Sequence, residues 1–203
     1  MDGITLPQVV LFVSTMAVAI LSPGPAIIAA SRSAAARGRA ASMPYAMGLA
    51  VGASLWCLFA VFGLSALFRV VPQLYLLMKI LGGTYLVWVA VQMLRHAADP
   101  LAMDGETVTG PGFLRGMALN LSNPKPALFY GSVLLSIFPA LHGIAALAIY
   151  LVALTVEVTF YAAVTTLMAT GPVRRRYIAA RTWIDRIAGA LIGALGVSLI
   201  VRH

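Results

Sequence analysis

The side chains best equipped for chemistry in this chain lie inside apolar stretches, where a polar group is most expensive. Ser22-Pro23-Gly24-Pro25 and Asn123-Pro124-Lys125-Pro126 each place two prolines around one residue within a long hydrophobic run. A proline inside a helix removes an amide donor and clashes with the preceding turn, so each pair frees several backbone carbonyls and amides. Away from water, freed groups are tolerated only where protein buries them or where they line a polar cavity, and there half-helix ends can hold ions or charged parts of a solute. Ser22, Pro23, Gly24, Pro25, Asn120, Asn123, Pro124 and Lys125 are therefore the candidate solute-binding residues. Asn120 lies about one turn before the second break, and two roles are open for it and Asn123: satisfying freed backbone groups or contacting a zwitterion. Glu157 sits deep in a later apolar run, and an intramembrane carboxylate is a functional candidate for taking up and releasing a proton. The alternative is a static ion pair between Glu157 and Lys125 that holds two helices together. Tyr85 and Tyr161 also fall within apolar runs and are close enough to such a cavity in register to join the candidate set.

These residues need a scaffold, and the composition dictates its solvent. Of 203 residues, 61% are hydrophobic and only 10% charged, with a mean hydropathy of +0.95, whereas a soluble domain is roughly a quarter charged. So few charges cannot cover a water-exposed surface, and lipid must be the solvent for most of the chain. A single cysteine, Cys57, excludes a disulfide scaffold and a cysteine-based metal cluster. The net charge of +8 does not indicate nucleic acid, because the cations fall in short clusters between apolar runs. The amino terminus lacks the cationic region of a cleaved signal, so its apolar run is expected to stay as a membrane helix.

Stretches of about 20 apolar residues predict six spans, near Leu6 to Ala35, Ser42 to Phe68, Pro72 to Leu94, Phe113 to Phe138, Ile144 to Thr170 and Ile184 to Val201. With the amino terminus outside, the inner side holds Arg32, Arg37, Arg39, Arg95, Arg115, Lys125, Arg174, Arg175, Arg176, Arg181 and Arg186, leaving Arg69, Lys79 and Arg202 outside. That asymmetry sets both termini on the outer, periplasmic face. Residues 97–112, with Asp99, Asp104, Glu106 and several Pro and Gly, read as a cytoplasmic linker between a first half, 1–96, and a second, 113–203.

The halves resemble one another. The two Pro-x-Pro elements lie 101 positions apart, and Lys79-Ile80-Leu81-Gly82-Gly83 is similar to Arg186-Ile187-Ala188-Gly189-Ala190 at an offset of 107. Three spans per half is an odd number, so the second half must be inverted relative to the first. The expected fold is an all-α membrane protein of six transmembrane helices, built as two inverted three-helix repeats whose first and fourth helices are interrupted at Pro-x-Pro.

Other motifs read as packing. Gly48 with Gly52, and Gly189 with Gly193, give small faces that seat a neighbouring helix or a second copy in a homodimer, internal packing being the preferred use. The arginines at 174 to 176 read as an anchor on anionic lipid, and Trp56, Trp88 and Trp183 as packing or interfacial residues. Gly63-Leu64-Ser65-Ala66 faintly resembles an intramembrane serine hydrolase motif, but His96, His142 and His203 all fall in loops or at the end, so no base serves a serine nucleophile. Neither paired carboxylates nor a phosphate-cradling loop occurs within the spans, and the reading is not an enzyme. No metal and no cofactor are expected, and an exporter of soft metal ions is disfavoured by one cysteine and the lack of an intramembrane histidine.

Leu21-Ser22-Pro23-Gly24-Pro25, Gly82-Gly83-Thr84-Tyr85-Leu86, Asn120-Leu121-Ser122-Asn123-Pro124-Lys125 and the closing Ile184-Asp185-Arg186-Ile187-Ala188-Gly189-Ala190, taken in order and spacing, resemble the lysine exporter (LysE/RhtB) family of amino-acid efflux carriers. The resemblance covers essentially the whole chain. It implies a bacterial inner-membrane exporter of amino acids or related small metabolites, energised by the proton gradient, with an amino-acid-like solute, protons and lipid as partners; export of another small solute or ion is the alternative. In some relatives an Asp stands near the position of Glu157.

Overall fold

A computed structural model of the chain describes residues 4–22, 24–70, 73–99, 112–138 and 141–201. They form seven helices and no strand: α1 Leu6–Leu21, α2 Pro25–Val70, α3 Gln73–Arg95, α4 Gly112–Leu121, α5 Pro124–Ile137, α6 Gly143–Met168 and α7 Gly171–Val201. Pro23, the linker residues 100–111 with Asp104 and Glu106, and Arg202 and His203 lie outside the described residues.

Local sequence accounts for where the helices start and stop. Thr5 opens α1 with a capping box, its amide donating to the Gln8 side chain at 2.9 Å. Asn123 caps α5 by accepting from the Lys125 amide at 3.0 Å, and Pro124 occupies the first helical position, where its missing N–H is no loss. α1 ends at Leu21 and α4 at Leu121, two and three residues ahead of their Pro-x-Pro elements. At 1.5 Å per residue, α1 alone is about 24 Å long, short of the ~30 Å of a bilayer core, so it needs the start of α2 to complete a crossing. Pro25–Gly63 and Gly143–Met168 are each long and apolar enough to cross a membrane by themselves.

Two elements differ from the sequence reading. The chain between the expected first and second spans is not an open loop: helical residues continue on both sides of Gly38, which alone takes φ +75° and ψ 172°. Only glycine adopts that conformation without a Cβ penalty, so one residue makes the turn. The sixth span was expected from Ile184, whereas α7 begins at Gly171 and carries Arg174, Arg175 and Arg176 within the helix. Arginine is a good helix former, and a reading that counts only apolar residues misses a polar first half.

The backbones of α2 and α4 touch. A Cβ added at Gly48 would stand 1.9 Å from the Phe113 carbonyl oxygen, one at Gly116 2.1 Å from the Tyr45 carbonyl oxygen, and one at Gly52 2.5 Å from the Met117 carbonyl oxygen. Small residues allow this approach, which is how helices associate when lipid supplies no hydrophobic drive between them. Gly189 and Gly193 pack less tightly against Leu94 and Ala90 of α3, the nearest atoms lying 3.1 Å from an added Cβ. Both glycine faces noted in the sequence are thus occupied inside the chain. Two buried clusters result, one around Phe12, Met16, Tyr130, Val133 and Ile149, the other around Ala30, Tyr45, Leu49, Tyr161 and Met168. Outward, large apolar side chains such as Leu6, Phe59, Phe62, Ile144, Leu151, Trp183 and Ile187 are exposed in numbers that suit lipid and not water.

Candidate functional site

A cavity of about 50 Å³ opens where the two cores meet, with Ala19, Phe129 and Tyr130 from one and Ala26 and Tyr161 from the other in its wall. Its polar lining is Ser22 and Gly24 from the first break, Asn120, Asn123 and Lys125 from the second, and Glu157, Tyr130 and Tyr161. Seven of the sequence-predicted residues, Ser22, Gly24, Asn120, Asn123, Lys125, Glu157 and Tyr161, therefore share one chamber although they come from three helices and two interhelical turns. Pro25 turns outward and is exposed, and Pro124 and Tyr85 line a different cavity.

The freed groups at the first break are satisfied by distant side chains. The Tyr177 hydroxyl donates to the Leu21 carbonyl at 3.3 Å, and the Lys125 ammonium donates to the Ser22 carbonyl at 3.1 Å. The buried Ser22 hydroxyl donates to Asp185 at 2.9 Å, and Asp185 is held in turn by Arg181 at 3.2 Å. Arg181 also donates to the carbonyls of His96 and Asp99 just past the end of α3. At the second break, the Asn123 amide donates to Asn120 at 3.3 Å, and the Asn120 amide donates to the Leu49 carbonyl at 2.7 Å and to the Tyr161 hydroxyl at 3.3 Å. Asn123 thus serves the backbone directly as a helix cap, while Asn120, 1% exposed, ties the break to α2 and α6.

The two half-helix starts differ as anion sites. In α5, prolines at the first and third positions supply no N–H and Asn123 already caps Lys125, which leaves few donors. In α2 the chain starts at Pro25, and the Ile28 amide returns to the Gly24 carbonyl at 3.0 Å. Ala26 and Ile27, both lining the cavity, then carry first-turn amides without an intrahelical acceptor. A carboxylate in the chamber would meet this positive helix end together with Lys125.

Glu157, 3% exposed, accepts a hydrogen bond from the Tyr130 hydroxyl at 2.7 Å. Lys125 instead points to Ser22, and among the described residues the ion pair is Arg181 with Asp185, not Lys125 with Glu157. A buried carboxyl group that loses its donor pays the desolvation cost unaided. Tyr130→Phe is accordingly expected to lower stability by about 1–3 kcal/mol, read as a drop in thermal unfolding temperature in detergent; an unchanged temperature would count against the bond.

Sequence reasoning missed Asp185, Arg181, Tyr130 and Tyr177. Asp185 and Arg181 were legible in part: an acid and a base four residues apart share one helix face. Asp185 stands at the edge of the expected sixth span, where a charge reads as interfacial. Nothing local marks Tyr130 or Tyr177, whose partners lie 27 and 156 residues away.

The family model described as LysE type translocator matches residues 17–203. The chain is 32% identical to the threonine efflux protein of Escherichia coli K12 over 193 residues, covering 92% of this chain and 94% of that one. It is 34% identical to the threonine efflux protein of Salmonella typhi over the same shares, and 26% identical to the leucine efflux protein of Klebsiella pneumoniae, covering 90% and 88%. No solved structure matches the chain.

Proposed function

The chain belongs to the LysE type translocator family, as a membrane transporter and not an enzyme, and on that footing we propose that it exports neutral amino acids such as threonine or leucine across the bacterial inner membrane by proton antiport. The observation that carries this reading is the chamber itself. Two helix breaks from opposite halves of the chain bring Lys125, the α2 amide end, two asparagines and Glu157 around one space, which suits a zwitterion carrying a carboxylate and an ammonium group.

The halves act as inverted repeats. α1, the first part of α2, the rest of α2, and α3 correspond in order to α4, α5, α6 and α7. Gly38, between the two parts of α2, corresponds to Phe138, which ends α5 about 100 positions on, much as the two breaks correspond. Both termini face the periplasm, and the end bearing Arg95, Asp99 and Arg174 to Arg176 faces the cytoplasm. Each half rocks against the other, exposing the chamber to one side and then the other.

Glu157 supplies the coupling. A proton taken from outside neutralises its carboxyl group while the solute leaves, and release inside restores the charge that attracts the next ammonium group. Glu157→Gln keeps an acceptor for Tyr130 and removes the titration. In proteoliposomes loaded with threonine, the wild-type rate of efflux is expected to rise with an imposed pH gradient and the Gln variant to export at a rate the gradient does not change. Equal acceleration of both would remove the proton role.

A further inference from the structure

A second cavity of about 330 Å³ lies on the far side of the first break, between α3 and α7. Its polar lining is Ser22, Gln92, His96, Lys125, Arg181 and Asp185, and Tyr85, Trp88, Val89 and Met93 make an apolar wall. Ser22, Gly24 and Lys125 line both cavities, so they form the partition between them. The Lys125 side chain lies across Gly24: a Cβ built there would be 3.6 Å from both its Cδ and Nζ. One bond to the Ser22 carbonyl holds that side chain in place.

We propose that this outer cavity is a waiting site for an α-amino acid with a neutral side chain, and that Lys125 is the door through which the solute passes to the inner chamber. The inference rests on the exporter reading and gives a role to Asp185, Arg181 and Trp88, which that reading does not use. Asp185 and Lys125 are joined to the same residue, one through the Ser22 hydroxyl and the other through its carbonyl. They therefore present one negative and one positive group side by side, the arrangement complementary to groups on a single α-carbon. Both have capacity left. A carboxylate offers about four acceptor positions, and Asp185 uses one for Ser22 and one for Arg181. An ammonium has three donors, of which Lys125 spends one on Ser22.

The solute ammonium binds Asp185, its carboxylate binds Lys125, and its side chain lies along Trp88, Val89 and Met93. A full charge attracts the Lys125 ammonium more strongly than the Ser22 carbonyl does, so the solute draws the door off its latch. Arg181 is a positioning residue. Its side chain is 12% exposed and pins Asp185 to the end of α3 through His96 and Asp99.

Two measurements on full-length protein in proteoliposomes test this. Asp185→Asn retains an acceptor for Ser22 but loses the charge. It is expected to raise the half-saturating threonine concentration roughly tenfold or more, the loss of one charge-assisted bond, from the side bearing Arg181 and to leave the opposite side unchanged. An equal rise from both sides, or none, would overturn the waiting site. Gln92→Cys, in a chain with buried Cys57 changed to Ser, is the second. Its alkylation by an impermeant maleimide is expected to slow when threonine is added and not when threoninol, which lacks the carboxylate, is added. Alkylation indifferent to threonine, in a chain whose wild type exports threonine, overturns the proposal and spares the exporter reading. A wild type that exports no amino acid removes the reading on which both stand.

Discussion

Lys125→Met is expected to cut amino-acid export at least roughly 30-fold while leaving a folded protein, because Lys125 is, among the described residues, the one cation that lines both cavities. Losing one member of a buried charge pair costs about 2–5 kcal/mol, and the lower figure already corresponds to ~30-fold. Folding should survive for a separate reason. Lys125 makes a single side-chain hydrogen bond, to the Ser22 carbonyl, and no ion pair among the described residues. The desolvation cost of the buried ammonium disappears with the charge, which offsets the roughly 1–3 kcal/mol of leaving the Ser22 carbonyl without its donor. Size-exclusion profile and unfolding temperature in detergent separate this outcome from simple collapse. A variant that exports at the wild-type rate would show that the ammonium has no part in handling the solute.

Gly48→Val is expected to fail at folding, the largest effect on stability that the packing offers. Overpacking an ordinary core costs about 1–3 kcal/mol because side chains shift to make room. Here the obstruction is backbone: the Phe113 carbonyl oxygen at 1.9 Å, its carbon at 2.8 Å and the Met117 amide nitrogen at 2.9 Å from the first added atom. α2 and α4 would have to separate, taking Asn120 away from the Leu49 carbonyl. Gly131→Ala is the control, since nothing lies within 4 Å of its added carbon. The expected result is little or no monodisperse protein for Gly48→Val and normal recovery for Gly131→Ala. Normal recovery of both would mean that α2 and α4 do not pack backbone to backbone.

What could be read from the sequence follows from how local each cause is. Pro23-Gly24-Pro25 and Pro124-Lys125-Pro126 are legible because a proline acts on its own turn, and α1 and α4 stop next to them. Glu157 stands out because a carboxyl group in an apolar run needs a reason. Gly48 and Gly52 announce a close approach, though not that α4 makes it. The partner of Ser22 could not be read: Asp185 is 163 residues away, and only the folded packing of α7 against the first break joins them. Tyr85 shows the same limit from the other side. Its polar group in an apolar helix suggested the solute chamber, but the face of α3 that carries it lines the outer cavity. The turn at Gly38 escaped because a single left-handed residue leaves no stretch of loop composition behind it.

The most direct measurement of the central claim is counterflow of labelled threonine into proteoliposomes preloaded with unlabelled threonine, which requires only that one binding chamber face each side in turn. The wild type should accumulate label transiently above its equilibrium level, and Lys125→Met should not. No overshoot from the wild type, or one of equal size from Lys125→Met, would contradict a solute chamber built at the paired helix breaks.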